Sequence, residues 1–288
     1  MIVRFKILIA CLLFYSYSSN AQYKNGWFKA KQIADKTWLI DEHNNNNIYL
    51  LEGKDSALII DAGFGLANLK GFIQTLTSKP LIIVNTHAHP DHAGGDYQFS
   101  KVYIGANDIE LAKYYTEPST LKYIIDSLFK VSIPDSLRSR DTSSIRKTAF
   151  LPVQDGYVFR LGGRDVQVIE VQGHTPGSIC LLDPDTKFLF SGDNGQAMTW
   201  LFLKESMPVE VYLQTQKKLV SLKSNFSKLF PGHGPSLPVE ETLNDLIACS
   251  NLILSGKGEL KPYKSFAGEA KSCTYGSVTI AFDPNKLK

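Results

Sequence analysis

At 288 residues the chain has room for one domain or two, and its 43% apolar and 20% charged residues are ordinary for a soluble globular protein. A formal net charge of +3 is too small to argue for nucleic acid or an anionic membrane surface as partner. Lys and Arg are also scattered, so there is no basic stripe to follow a phosphate backbone.

Residues 1–21 stand apart. Arg4 and Lys6 precede an apolar run over 7–15, and the segment closes on Ser18, Ser19, Asn20 and Ala21. A basic start, a short apolar core and a small-residue end predict a secretory signal peptide over 1–21, cleaved after Ala21. One domain over 22–288 and a periplasmic or secreted location are then expected. The apolar core is too short for a stable membrane span. Residues 8–11 resemble a lipobox, but the apolar segment runs on past Cys11 and too little precedes it.

Short strands are expected over 28–33, 37–40 and 48–51, with a polar turn at 44–47 between the last two. His43 lies outside any ligand pattern and is expected to be solvated. A buried strand over 57–60 ends at Asp61. Leu66, Leu69, Phe72, Ile73 and Leu76 recur at helical spacing, and that segment stops before Pro80. The β-branched run 81–84 reads as a buried strand, and 102–104 as another.

Residues 106–150 break this rhythm. A helix is expected over 107–115, and Leu121, Ile124, Ile125, Leu128 and Phe129 repeat at helical spacing before a polar loop over 136–148. This helical insert is either a cap over a site or a peripheral decoration. Further strands follow at 157–160, 166–171, 179–182 and 187–190, with helices over 208–222 and 239–254. Two strand-rich halves, each with helices, fit two sheets face to face with helices outside.

Cys180 sits in an apolar run and reads as a buried small hydrophobe. Three well-spaced cysteines in the mature chain are no disulfide framework, although a Cys249–Cys273 bridge stays open.

The chemistry concentrates in turns that follow strands. His87-Ala88-His89-Pro90-Asp91-His92 comes directly after the run 81–86. His87 and His89, two apart on extended backbone, can point one way. Asp91 and His92, past the proline, are turned elsewhere and can serve a second point. Five of the six His lie in three such turns, the others being Gly173-His174-Thr175-Pro176-Gly177 and Pro231-Gly232-His233-Gly234. A fourth turn carries Asp193. Short His-rich tracts also occur on solvated surfaces, but four ligand-bearing turns are unlike that pattern. Five His and two Asp without Cys suit a catalytic zinc site rather than a closed structural one.

The order HxHxDH, GHTPGS, SGD and PGHG, with the opening strands over 47–53 and 57–63, resembles the metallo-β-lactamase-fold hydrolase superfamily across roughly residues 26–283. That resemblance implies an α+β fold, the αββα four-layer sandwich. It implies that His87, His89 and His174 hold a first metal, that Asp91, His92 and His233 hold a second, and that Asp193 bridges them. The implied cofactor is two Zn2+ per chain, and a mixed nitrogen and oxygen site can also take iron or manganese. Asp91 is in addition the implied catalytic group, orienting the attacking water or shuttling its proton. Asp61 is either the partner that fixes a ligand ring or a turn-forming residue. The apolar segment 198–204 either lines the substrate pocket or packs in the core, and Lys204 is a candidate for a substrate carboxylate.

The leading reading is an exported dinuclear zinc hydrolase that cleaves an ester, thioester, lactone or amide of a small molecule. Hydroxyacylglutathione hydrolases share the ligands but add a helical domain, and the 55 residues after His233 suffice for one helix and a closing strand. A β-lactamase, an iron-dependent persulfide dioxygenase and a non-catalytic metal-binding protein are the alternatives. Dedicated β-lactamases of this fold carry Cys or Ser where this chain has Asp193.

Overall fold

The computed structural model of the chain describes residues 22–128 and 148–288. The signal-like segment 1–21, Phe129 and most of the loop expected over 136–148 lie outside the described residues.

β1 (Gln22–Lys24), β2 (Phe28–Ala34), β3 (Thr37–Glu42), β4 (Asn46–Glu52) and β5 (Ala57–Ile60) make an antiparallel meander. After α1 (Leu69–Ile73), β6 (Leu81–Asn85) joins parallel to β5. The turn α2 (Pro90–Ala93) leads to β7 (Lys101–Gly105), also parallel. Helices α3 (Ile109–Thr116) and α4 (Pro118–Leu128) precede β8 (Ala149–Val153), the last parallel strand of this sheet. β4 and β5 are buried on both faces, and the two-residue period of a strand sorts their side chains. Ile48, Leu50 and Ile59 cluster with Leu69, Phe72 and Ile73 from the helical side. Tyr49, Leu51, Leu58 and Ile60 turn to the other face.

The second half begins with β9 (Val158–Arg160), β10 (Asp165–Glu170), β11 (Ile179–Asp183) and β12 (Phe188–Gly192). It continues through β13 (Met198–Leu201), α5 (Val209–Ser221), β14 (Lys228–Pro231), β15 (Leu237–Pro238) and α6 (Val239–Leu254). The second sheet has the order β15-β14-β12-β11-β10-β9. Its inner face, with Val166, Val168, Leu181 and Phe190, meets Tyr49, Leu51, Leu58 and Ile60. Each such side chain contributes roughly 1.5–3 kcal/mol on burial, so this shared layer holds the halves together. Its outer face is covered by Leu219 of α5 and Leu243 of α6. The layers therefore run helix, sheet, sheet, helix, the expected αββα sandwich.

Several local expectations need correction. The turn after β3 is shorter than 44–47, because Asn46 and Asn47 already pair with Glu42 and Asp41. His43 is half-buried and stacked on Trp27, ring centroids 4.5 Å apart, not solvated. The helix expected over 66–76 covers only Leu69–Ile73, since the Asn68 side chain caps the Gly71 N–H and fixes the start. The insert gives way at Ala149 to a sheet strand rather than running to 150. After α6 come three strands, not one: β16 (Leu260–Ser265), β17 (Gly268–Tyr275) and β18 (Val278–Phe282). With β13 they form a third sheet that packs Ile280 and Phe282 on Leu246, Cys249 and Ile253. Cys180, Cys249 and Cys273 are all free and buried; the Cys249 thiol donates to the Cys273 carbonyl at 3.1 Å. Among the described residues no helix is long and apolar enough to cross a membrane.

Candidate metal centre

The ligand-bearing turns follow β6, β10, β12 and β14, and strand pairing decides where they meet. β12 and β14 are parallel, so Asp193 and His233 leave one sheet at the same edge. β5 and β6 are parallel, so Asp61 and His87 share the matching edge of the other. Cross-links then join the two edges. The Asn47 side chain donates to the Pro231 and Gly234 carbonyls at 3.0 and 2.8 Å, and the Tyr49 hydroxyl to the Pro231 carbonyl at 2.6 Å. Buried Asp108 accepts from the Ala88 N–H, the Gly177 N–H and the Thr175 hydroxyl, tying the His87 loop to the His174 loop.

Within the first loop the proline sets the division of labour. Pro90 is the first residue of α2 and His89 its extended N-cap. The chain thus changes direction between His89 and Asp91, and the two pairs of ligands face different points.

All seven expected ligands converge. His87, His89 and His174 form one group, His87, His92 and Asp193 a second, and Asp91, His92 and His233 a third, with ligand atoms inside each group within 4.8 Å of one another. His233 Nε2 lies 3.1 Å from Asp91 Oδ2 and 3.5 Å from Asp193 Oδ2. His92 Nε2 lies 3.5 Å from Asp193 Oδ1. Gly232 is obligatory here, because a Cβ would stand 2.5 Å from Asp193 Oδ1 and 2.6 Å from His92 Cε1.

Every imidazole spends its outer nitrogen on a protein acceptor. The Nδ1–H of His92 donates to Asp61 at 2.8 Å, that of His174 to the Trp200 carbonyl at 2.7 Å, and that of His233 to the Asn45 carbonyl at 2.7 Å. The Nε2–H of His89 donates to Glu205 at 2.7 Å. The Thr86 hydroxyl is committed to Asp61, so it accepts from His87 Nδ1 at 3.1 Å. The inner nitrogen of each ring is thereby left facing the centre, where it can offer a lone pair to an ion once any proton on it is lost. His89 Nδ1 and His174 Nε2 face each other at 2.8 Å, which two lone pairs tolerate only around a shared cation or proton. Buried His87 Nε2 and Asp193 Oδ1 have no hydrogen-bond partner. This nitrogen and carboxylate set, without sulfur, fits zinc or a similar divalent ion.

Burial together with neighbouring His92 and His89 pushes the His87 ring well below its ordinary pKa. Burial and His89 lower His174 to about 4 against the pull of Asp193. His92 and His233 go the other way. Burial opposes their charge, but Asp91, Asp61 and Asp193 raise His92 to about 10, and Asp193 and Asp91 raise His233 to about 9. Asp91 and Asp193 are correspondingly held below the usual carboxylate range, burial being outweighed by the cationic rings.

The sequence profile of the Metallo-beta-lactamase superfamily matches residues 42–233. This chain belongs to that superfamily. It is 32% identical over 229 residues to the acyl-coenzyme A thioesterase MBLAC2 of Homo sapiens, covering 72% of this chain and 81% of that protein. It is 27% identical over 150 residues to the hydroxyacylglutathione hydrolase GloC of Haemophilus influenzae, covering 49% of this chain and 62% of that one. A metallo-beta-lactamase from Pontibacter korlensis shares the fold, with TM-score 0.57 and 18% identity over 78% of this chain and 99% of that one. The chain is a metal-dependent hydrolase of the metallo-β-lactamase superfamily.

Asp61 proves to be the ring-orienting residue. It adopts a left-handed backbone (φ 67°), a strain of order 1 kcal/mol. Its carboxylate is held by the Thr86 N–H and hydroxyl while it accepts from His92. Of the apolar segment, Thr199 and Leu201 are buried and Trp200 is half-exposed. Lys204 is exposed; it is the next residue that reaches the site. Glu205 accepts from His89 and from Tyr115 of α3, so the insert reaches the centre through Tyr115 as well as through Asp108. Glu205 and Tyr115 have no sequence motif. The one available signal was an acid closing an otherwise apolar run.

Proposed function

We propose that this chain is an exported dinuclear metallohydrolase that cleaves thioesters of acyl-coenzyme A type. The observation that carries the reading is the 32% likeness to an acyl-coenzyme A thioesterase along 81% of that protein, in a chain that keeps all seven ligands. His87, His89 and His174 would hold one ion, Asp91, His92 and His233 the other, and Asp193 both. When bound, zinc supplies a Lewis acid and lowers the pKa of a water to about 7.

The protein's own part is to position and to move protons. Asp61, Glu205 and the carbonyls of Asn45 and Trp200 lock the ligand rings. Asp91 keeps 25% of its side chain exposed against 9% for Asp193, so it is the carboxylate open to a water and able to take its proton. Asp193 adds negative charge at the centre. That charge weakens the pull on an amide nitrogen leaving group and suits thiolates and alkoxides, which depart without such help. Export rests on the basic, apolar and small-residue sequence of 1–21.

The test is a kcat/KM panel on the zinc-loaded protein: acyl thioesters, esters, lactones, nitrocefin and phosphodiesters. Thioesters are expected to lead. Nitrocefin ahead of every thioester by tenfold, about 1.4 kcal/mol in the transition state, defeats the assignment. One iron per chain would favour the dioxygenase alternative. Mass spectrometry of exported protein should find Gln22 as the first residue, and a retained Met1 refutes export.

A further inference from the structure

The third sheet carries four aromatic rings that the hydrolytic chemistry does not use. Thr199 and Leu201 of β13 are buried, and Thr199 contacts the Tyr212 hydroxyl inside the core. Alternation therefore sends Trp200 to the opposite, outward face. Across the sheet Trp200 pairs with Ala281, and Tyr263 of β16 pairs with Ala270, so small residues leave room for the large rings to meet. The Trp200 ring lies 5.1 Å from Phe202, 6.2 Å from Tyr263 and 5.5 Å from Phe266, and Phe202 lies 5.8 Å from Tyr263. Phe266, at the two-residue tip between β16 and β17, is 72% exposed. With Trp200, Phe202 and Tyr263 only partly buried beside it, Phe266 completes a contiguous apolar patch open to solvent, the kind of surface that marks a binding site.

Two observations say what covers it. The first is continuity with the metal centre. The carbonyl of Trp200 is the acceptor that holds His174 Nδ1 at 2.7 Å, so the platform starts one residue from a metal ligand. The strand that carries the platform therefore adjoins the ring of His174. The second is polarity. The indole N–H of Trp200, its one donor, is spent on the Tyr263 hydroxyl at 2.9 Å. The rings are tilted by 54° to 66° to their neighbours, with no parallel pair to sandwich a flat heterocycle. The surface thus offers apolar area and little hydrogen bonding, which matches an alkyl chain better than a nucleobase or a pantetheine amide.

We propose that Trp200, Phe202, Tyr263 and Phe266 form the site for the acyl chain of the substrate and set a preference for long chains. This rests on the thioesterase reading for its chemistry, but the platform is testable without it. Affinity is measured for free alkanoates from butyrate to dodecanoate on zinc-loaded protein, alongside kcat/KM for the matching acyl-coenzyme A thioesters. Half-burial of the chain predicts roughly twofold per methylene, about 0.4 kcal/mol, so roughly 10²-fold from butyryl to dodecanoyl. Phe266→Ser, at an exposed tip where folding is not at stake, should cut the dodecanoyl to butyryl ratio about tenfold. Trp200→Leu keeps the carbonyl that holds His174 and should cut it further. A flat wild-type series, or a steep one that neither variant changes, overturns the proposal. So does an equal loss of affinity for free coenzyme A in Phe266→Ser, which would assign the platform to the nucleotide. A steep, variant-sensitive alkanoate series with no thioester turned over keeps the platform and removes the thioesterase reading. Thioester turnover with no dependence on chain length does the reverse.

Discussion

The two ends of the metal centre are built from opposite materials. His87, His89 and His174 offer three nitrogens and no carboxylate of their own, whereas Asp91, His92 and His233 include an acid; Asp193 stands between the ends, 3.6 Å from His174 and 3.5 Å from both His92 and His233. The first end is proton-poor: burial and mutual repulsion keep His87 and His174 neutral, with lone pairs ready. The second end is proton-rich, because the carboxylates raise His92 to about 10 and His233 to about 9. An ion at the first end meets no proton on the inner nitrogens of His87 and His174. An ion at the second must expel protons, so its affinity rises with pH through the neutral range and levels off near those values. One scaffold thus presents a preorganised nitrogen site beside a site that trades protons for metal.

The largest effect should come from removing what the ends share. Asp193→Ala is expected to lower metal content and kcat/KM together, by more than the roughly 10–100-fold that loss of an outer partner costs. A fully active Asp193→Ala protein refutes its bridging role. His89→Ala should likewise abolish turnover through the first end.

The next effects should be confined to one end. Asp61→Ala frees the His92 ring, and Glu205→Ala frees His89. Each should lose roughly 10–100-fold in metal affinity, with the Asp61 variant weakening the second equivalent and the Glu205 variant the first. Zinc titrations followed by calorimetry will show which equivalent moves; the same step shifting in both variants would mean that the ends are not separate. In two buffers of different ionisation enthalpy, the step lost in Asp61→Ala should be the one that releases protons.

The smallest effect concerns Glu42, beneath the second end. Burial raises its pKa to about 7, despite the Phe64 N–H and the Trp27 indole N–H that it accepts. The folded state keeps that proton to about pH 7, while the unfolded chain loses it near the ordinary value of 4.5. The contribution to stability is therefore full below that lower value and is lost as pH rises through about 7. Its ceiling is about 3 kcal/mol. In the metal-free protein, Glu42→Gln should unfold in denaturant with a weaker loss of stability between about pH 5 and pH 8 than wild type. An unchanged slope rules Glu42 out as its source.

The ligands were readable because each belongs to a short turn after an apolar strand, with Gly or Pro fixing the backbone. What lies around them was not. Asp108, Asn47, Glu205 and Tyr115 act from 20 to 187 residues away in sequence, through single contacts that leave no periodicity. The third sheet was missed for a related reason. β16 is mostly exposed and β17 nearly so, so neither shows an apolar alternation, and both are strands because β18 and α6 offer a partner. Asp61 had an equal claim as a turn residue, and only the fold brings it 2.8 Å from His92.

The central claim is that one site holds two ions through seven side chains. Its most direct test is the metal content of stripped wild-type protein reloaded with zinc, desalted and analysed by plasma mass spectrometry against protein concentration. About two zinc ions per chain are expected. A plateau at one ion, with His233→Ala and Asp91→Ala leaving it unchanged, would contradict the claim.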